Sequence, residues 1–316
     1  MLSSLPAPPK PTGDSDTFPP TLFNTMSSTP VATKVGNKRF DLGAELHSPD
    51  LYHPTSEASQ VETLDDIGPA EIEFYRENGY LSIRQAFTPT EMQEAIDGIV
   101  SLLMGEHPGF EHVIFEAAAE KRIEEMGPEE RMNCVRKLGV FEKTEPRLRA
   151  ISQHPELLKI VKTLIHDRTP EMFQDMALLK PPLIGREKPW HQDHAYFDYP
   201  LDTPVVGVWI ALDEANVENG CMQIMPGRHK EPIIHFQRRD WQLCDTSVLG
   251  TDSGAAPLSR GGMLIFDGKL PHGTPHNNSP KRRRALQFHF APDDIHKSPP
   301  EVRLEAFGSE GKNVSC

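Results

Sequence analysis

The tetrapeptide Trp190-His191-Gln192-Asp193 sets an imidazole and a carboxylate two residues apart. In a strand, side chains alternate between faces, so His191 and Asp193 project to one side while Gln192 and His194 point away. Such a pair supplies two members of a facial triad. A second histidine from elsewhere in the chain completes it and leaves three positions open on iron(II). With 14 histidines in the chain, a His-x-Asp also arises by chance, and the isolated tripeptide reads equally as a surface histidine near an acid. A second feature changes the balance. Pro271-His272-Gly273-Thr274 lies 79 residues beyond Asp193, at the end of the apolar strand Met263–Phe266. The next strand has two contrasting faces: Leu286, Phe288 and Phe290 are suited to packing under helices, whereas Arg283, Gln287 and His289 are polar. If the polar face lines a cavity, Arg283 can pair bidentately with a carboxylate ligand. If it meets water, Lys281 to Arg284 is a solvated turn.

The elements that must position these groups can be read along the chain. Residues 1–60 form a Pro/Ser-rich tail: nine prolines fall between Pro6 and Pro54 among Ser, Thr and Asp. Such a segment cannot offset its own ordering entropy and is expected to be disordered. The folded domain is expected over 61–300, with 301–316 as a C-terminal tail. A short helix after Pro69 ends at Gly79, and a strand runs from Tyr80 to Phe87. Thr88, Pro89 and Glu91 then carry the signature of a capped helix start. Met92, Ala95, Ile96, Ile99, Val100 and Leu103 give that helix one apolar face. Residues 111–133 read as helical and charged, broken at Gly127-Pro128, with the acidic run Glu124–Glu130 as a solvated face. A further amphipathic helix spans Pro155 to His166. From Phe173 onward, short β-prone segments (173–180, 189–193, 204–212, 221–225, 262–267 and 283–291) alternate with loops. An irregular insert occupies about 232–260. Helices first and many short strands afterwards indicate a mostly β fold with flanking helices around a jelly-roll or barrel core.

Composition narrows the functions. The net charge of −13 disfavours phosphate backbones, so no nucleic-acid partner is expected. No apolar run reaches the ~20 residues of a membrane helix, and the start of the chain resembles neither a signal nor a transit peptide. Cys134, Cys221, Cys244 and Cys316 are widely spaced, which points to a reducing compartment and no zinc–thiolate site. Because the chain ends Asn-Val-Ser-Cys rather than in a peroxisomal tripeptide, the expectation is a cytoplasmic protein. The sequence leaves its oligomeric state open.

His-x-Asp, a distal histidine and an arginine eleven residues after it resemble the phytanoyl-CoA dioxygenase family. The resemblance runs from about Ile67 to Ala291. It includes Leu179-Lys180-Pro181-Pro182 before the His-Gln-Asp element, and Asn219-Gly220-Cys221 continuing to Pro226-Gly227-Arg228-His229-Lys230. It implies a double-stranded β-helix (jelly-roll, cupin-like) core. The chemistry implied is oxidation of an unactivated C–H bond of a small organic molecule, using Fe(2+), 2-oxoglutarate and O2 and releasing succinate and carbon dioxide. Residue by residue, it assigns iron to His191, Asp193 and His272, and the distal carboxylate of 2-oxoglutarate to Arg283. Arg283 is preferred to Arg282 and Arg284 by spacing and strand parity. Trp209, Thr274, Met176 and Gln174 fall at cofactor-contacting positions, and Lys137 does so only with a one-residue shift. The carboxylate at Asp193 favours hydroxylation over halogenation, since related halogenases carry a small residue there.

Other histidines read differently. His154-Pro155-Glu156 is a helix start, His229 belongs to a turn, and His194 reads as a surface histidine. His276 and His289 could approach the site but read as structural. Trp241, in the insert, either covers the substrate or simply packs. Two alternatives to the oxygenase remain: a catalytically inactive jelly-roll protein that binds metal or ligand, and a zinc or nickel cupin-like isomerase. Arg283 discriminates, because a plain cupin has no need of a buried guanidinium eleven residues past its last histidine. A CoA ester would call for a basic patch, for which Arg238-Arg239 is a modest candidate, so the reading leans to a non-CoA substrate.

Overall fold

Proline at the first helical position forfeits no hydrogen bond, because that N–H has no intrahelical partner. All six helices among the described residues use this device: α1 (Pro69–Asn78), α2 (Pro89–Leu103), α3 (Pro128–Met132), α4 (Pro146–Ser152), α5 (Pro155–Leu164) and α6 (Pro300–Phe307). The structure, a computed structural model, describes residues 39–41, 47–119, 121–123, 125–238 and 240–308. At α2 the Thr88 hydroxyl accepts from the Glu91 N–H, and the Glu91 carboxylate accepts from the Thr88 N–H at 2.8 Å, as the sequence predicts. Gly79 closes α1 in the left-handed region at φ 81°, and the chain turns directly into a strand.

The first strands are β1 (Arg39–Asp41), β2 (Ser56–Glu57), β3 (Gln60–Thr63), β4 (Tyr80–Gln85), β5 (Val113–Glu116) and β6 (Val135–Gly139). Next come β7 (Pro170–Lys180), β8 (Lys188–His191), β9 (Val206–Ala211), β10 (Met222–Ile224), β11 (His235–Gln237) and β12 (Trp241–Leu243). The last four are β13 (Gly254–Ala256), β14 (Met263–Asp267), β15 (His272–Thr274) and β16 (Arg283–Pro292). The larger sheet runs β1-β5-β6-β7-β16-β9-β14-β4-β3 and the smaller β2-β13-β10-β15-β8, while β11 and β12 form a separate hairpin. This is the mostly β, jelly-roll arrangement expected.

Strand parity divides the interior. Val206, Val208 and Ile210 of β9, Met263 and Ile265 of β14, and Leu286, Phe288 and Phe290 of β16 join the apolar faces of α2, α4 and α5 in one core. The opposite faces put Trp209, Leu264, Phe266 and Ala285 against Met222, Ile224 and Ala255 of the smaller sheet. Gly207 lies on this inner side, where a Cβ would come within 2.4 Å of the Phe266 ring.

Several expectations need correction. Residues 111–133 are not a charged helix: they hold β5, short turns and only the five-residue α3. The insert is not wholly irregular, since β11, β12 and β13 fall inside it. Trp241 is buried, packing edge-on to Tyr196 and under the Arg303 guanidinium. The boundary at residue 60 is too late, because Leu51 and Tyr52 are buried with Trp190, whose indole N–H donates to the Leu51 carbonyl at 2.7 Å. The boundary at 301 falls inside α6, whose Phe307 is fully buried. Residues 1–38, 42–46 and 309–316, along with Glu120, Glu124 and Arg239, lie outside the described residues. Cys134 and Cys221 are free and buried, but Cys244 is disulfide-bonded, so the reading of wholly reduced cysteines does not hold for it. No helix among the described residues is long and apolar enough to cross a membrane.

Candidate active site

Strand pairing brings the two histidines together. β8 and β15 are antiparallel with His191 directly opposite His272, and their ring centroids are 4.2 Å apart. Each ring is oriented by a carbonyl two residues earlier: His191 Nδ1 lies 2.7 Å from the Pro189 oxygen and His272 Nδ1 2.9 Å from the Leu270 oxygen. A carbonyl only accepts, so each Nδ1 carries the proton and each Nε2 keeps its lone pair. Those Nε2 atoms lie 3.2 Å (His191) and 3.6 Å (His272) from the Asp193 carboxylate.

Asp193 arrives by a different local structure from the one expected. β8 stops at His191, and Asp193 opens the single 3-10 turn Asp193–Tyr196. The ladder ends at His191, but Gln192 is still extended (φ −111°, ψ 127°), so alternation carries to Asp193 and the chain turns only from there. Among the described residues, His191, Asp193 and His272 form a buried group able to hold a metal ion, with one ligand atom from each lying within 4.8 Å of the others. Two imidazoles and one carboxylate, leaving positions open, are the donor set of non-haem iron(II) sites. Burial opposes ionisation of Asp193. The neighbouring His272 and His289 imidazoles and the hydrogen bond from His289 outweigh it, holding the carboxyl well below its usual range. Burial and then the neighbouring His191 push His272 down to about 4, so its ring is neutral at pH 7.

These side chains line a cavity of about 640 Å³, within the range for small-molecule sites. All the other singled-out residues line it as well: Arg283, Trp209, Thr274, Met176, Gln174 and Lys137. The floor is a ladder across three strands, in which Arg283 pairs with Lys180, and Gln287 lies between Met176 and Trp209. Arg283 is 2 % exposed, yet its Nε and Nη1 have no hydrogen-bond partner among the described residues. Its guanidinium sits 5.2 Å from the Trp209 ring centroid. Burial lowers it only to about 10, so it stays charged at pH 7. The solvated-turn reading therefore fails for Arg283. Lys180, beneath it, donates to the Arg186 and Pro275 carbonyls at 2.5 and 2.7 Å. Burial, then the Arg283 charge, pushes that ammonium well below its usual range. Lys137 is pushed down to about 8 by burial and then by Lys188.

Sequence reasoning missed part of the wall. Lys188, Tyr196 and Asp240 also line the cavity. His289, read as structural, reaches the site: its Nε2 lies 2.7 Å from Asp193 Oδ2, with the Gln287 amide nitrogen 3.2 Å from the same oxygen. The signal was present, because both residues share strand parity with Arg283. His194, expected at the surface, is instead buried against Phe307, and burial pushes it down to about 4. His154 caps α5, and His229 packs over Gly79 with its Nε2 3.2 Å from the Arg76 carbonyl.

Comparison with known proteins gives the geometry a family. The model for phytanoyl-CoA dioxygenase (PhyH) matches residues 75–285. This chain belongs to the phytanoyl-CoA dioxygenase family. It is 25 % identical over 265 residues to phytanoyl-CoA dioxygenase domain-containing protein 1 of Mus musculus, covering 71 % of this chain and 90 % of that one. It is 27 % identical over 235 residues to the peroxisomal phytanoyl-CoA dioxygenase of Bos taurus, covering 71 % and 68 %. Among solved structures, the epimerase SnoN in complex with Fe3+, alpha ketoglutarate and nogalamycin RO superposes with a TM-score of 0.58. That pair shares 18 % identity over 74 % of this chain and 88 % of SnoN, a likeness of fold.

Proposed function

We propose that this family member is an iron(II)- and 2-oxoglutarate-dependent dioxygenase that oxidises an unactivated C–H bond of a small organic molecule, with release of succinate and carbon dioxide. One observation carries the reading. His191, Asp193 and His272 converge in a buried cavity that also holds Arg283, a guanidinium with two unpartnered donors. A structural metal site needs no such arginine, and an unpaired buried cation calls for an anionic ligand. The iron and 2-oxoglutarate reported with SnoN supply the matching pair.

When bound, iron(II) and 2-oxoglutarate supply the two electrons and the dioxygen activation that no protein side chain provides. The residues have more modest tasks. His191 and His272 present neutral Nε2 lone pairs because their Nδ1 protons are tied to backbone carbonyls. Asp193 offers an anionic oxygen that offsets part of the metal's charge. Arg283 meets the distal carboxylate of 2-oxoglutarate through its planar fork, with Trp209 and Met176 as apolar walls and Thr274 as a hydroxyl nearby. Gln174 and Lys137 complete the polar contacts, and burial of the triad keeps bulk water from the reacting centre.

Lys137 gives the reading a pH dependence. Its ammonium is charged below about pH 8 and neutral above it, so attraction for an anionic co-substrate is lost as pH rises through that value. The apparent KM for 2-oxoglutarate is expected to climb between pH 7 and 9, and the climb should flatten in Lys137→Met. A slope that survives in the variant removes Lys137 from cofactor binding. The function itself is tested by screening small molecules for stimulated succinate release in air. Succinate formation dependent on iron(II) and 2-oxoglutarate supports the enzyme, whereas binding of both without turnover makes the chain an inactive relative.

A further inference from the structure

His289 is completely buried in the middle of β16, with Gly207 of β9 and Gln174 of β7 opposite it in the ladder. Its ring is walled by Phe197, Phe173 and Phe266, with centroids 5.1, 6.0 and 6.4 Å away. Nδ1 has no partner among the described residues. For packing alone, phenylalanine would fill this box without stranding a polar atom. What the imidazole gains lies at Nε2, which is 2.7 Å from Asp193 Oδ2 and 3.2 Å from the Gln287 amide nitrogen. An ionised carboxylate only accepts, so Nε2 carries the proton. That tautomer leaves no Nε2 lone pair, and His289 is therefore not a fourth ligand. Gln287 donates to the same oxygen from 3.2 Å.

Asp193 needs such support because it lies past the end of β8 in a one-turn helix, where no strand ladder fixes its side chain. Its Oδ1 is 3.2 Å from His191 Nε2, and its Oδ2 is shared by His289, Gln287 and, at 3.6 Å, His272. We infer that His289, assisted by Gln287, is a positioning residue that locks the Asp193 carboxylate in its metal-binding rotamer and so preorganises the site before metal or co-substrate arrives. This rests on the metal-site reading of the triad. Donors behind a ligating group typically contribute roughly 10- to 100-fold to metal affinity.

The test is calorimetric titration of metal-free protein with Mn(II), without 2-oxoglutarate, so that turnover plays no part. His289→Phe keeps the volume and removes the donor, and Mn(II) affinity is expected to fall roughly 10- to 100-fold. His289→Gln, whose amide N–H reaches nearly the same place, is expected to restore most of it. Gln287→Met should give a smaller loss. Unchanged affinity in His289→Phe, or equal losses in the Phe and Gln variants, overturns the proposal. If His289→Phe does not fold, Gln287→Met and His289→Gln decide: undiminished binding in the first, or a full loss in the second, is equally fatal. A wild-type protein that binds no Mn(II), or binds it unchanged after Asp193→Ala, refutes the metal site itself and not the role of His289 alone.

Discussion

Asp193→Ala is expected to reduce succinate release to the level of a protein-free control while leaving the fold intact. Asp193 is the only anionic member of the triad, and its carboxylate is the meeting point of His191, His272, His289 and Gln287. Removing it takes away an oxygen ligand and the charge that partly neutralises the metal. It also leaves the donors of His289 and Gln287 buried without an acceptor, at about 1–3 kcal/mol each. The loss is therefore larger than for any single residue behind the ligands. Stability falls less steeply, because the apolar core on the far side of the larger sheet shares no residue with this cluster. Succinate assay beside thermal unfolding separates the two effects. Undiminished turnover in a folded variant removes Asp193 from the metal.

Arg283→Met is expected to raise the 2-oxoglutarate requirement far more than it weakens metal binding. Methionine keeps an unbranched chain over Trp209 and removes the charge. Truncating one partner of a buried, hydrogen-bonded ion pair costs about 2–5 kcal/mol, or roughly thirtyfold to several thousandfold in apparent affinity. Mn(II) affinity without co-substrate should change little, since Arg283 makes no contact with the triad among the bonds and ion pairs of the described residues. Arg283→Lys should recover only part of the loss, because an ammonium keeps the charge and lacks the fork. Equal effects on metal and co-substrate would take Arg283 out of the co-substrate role.

What the sequence disclosed follows from the range of each signal. Alternation along β9 and β16 is written in consecutive residues, so Trp209 and Arg283 could be placed on an inner face and Val208 and Phe288 on an outer one. Helix starts were equally readable, because Thr88, Pro89 and Glu91 act within one turn. Errors came where distant partners decide. β5 has only four residues and is a strand because β6 and β1 lie beside it; its charged flanks alone resemble a helix. Leu51 and Tyr52 look like tail residues until Trp190, some 140 positions on, buries them. The turn that begins at Asp193 was also unread, since it is held by the bond from His194 N–H to the Gly268 carbonyl at 2.7 Å, in a remote loop. His289 carried the right parity, but only the folded chain puts Asp193 against it.

Anaerobic addition of iron(II) and 2-oxoglutarate to the metal-free protein, followed by visible absorption, tests the central claim most directly. The account predicts a charge-transfer band that requires both additions, saturates at one iron per chain, and is lost in His272→Ala. A wild-type protein that stays colourless, or a band that persists without His272, contradicts the convergence of His191, Asp193 and His272 on one ferrous ion.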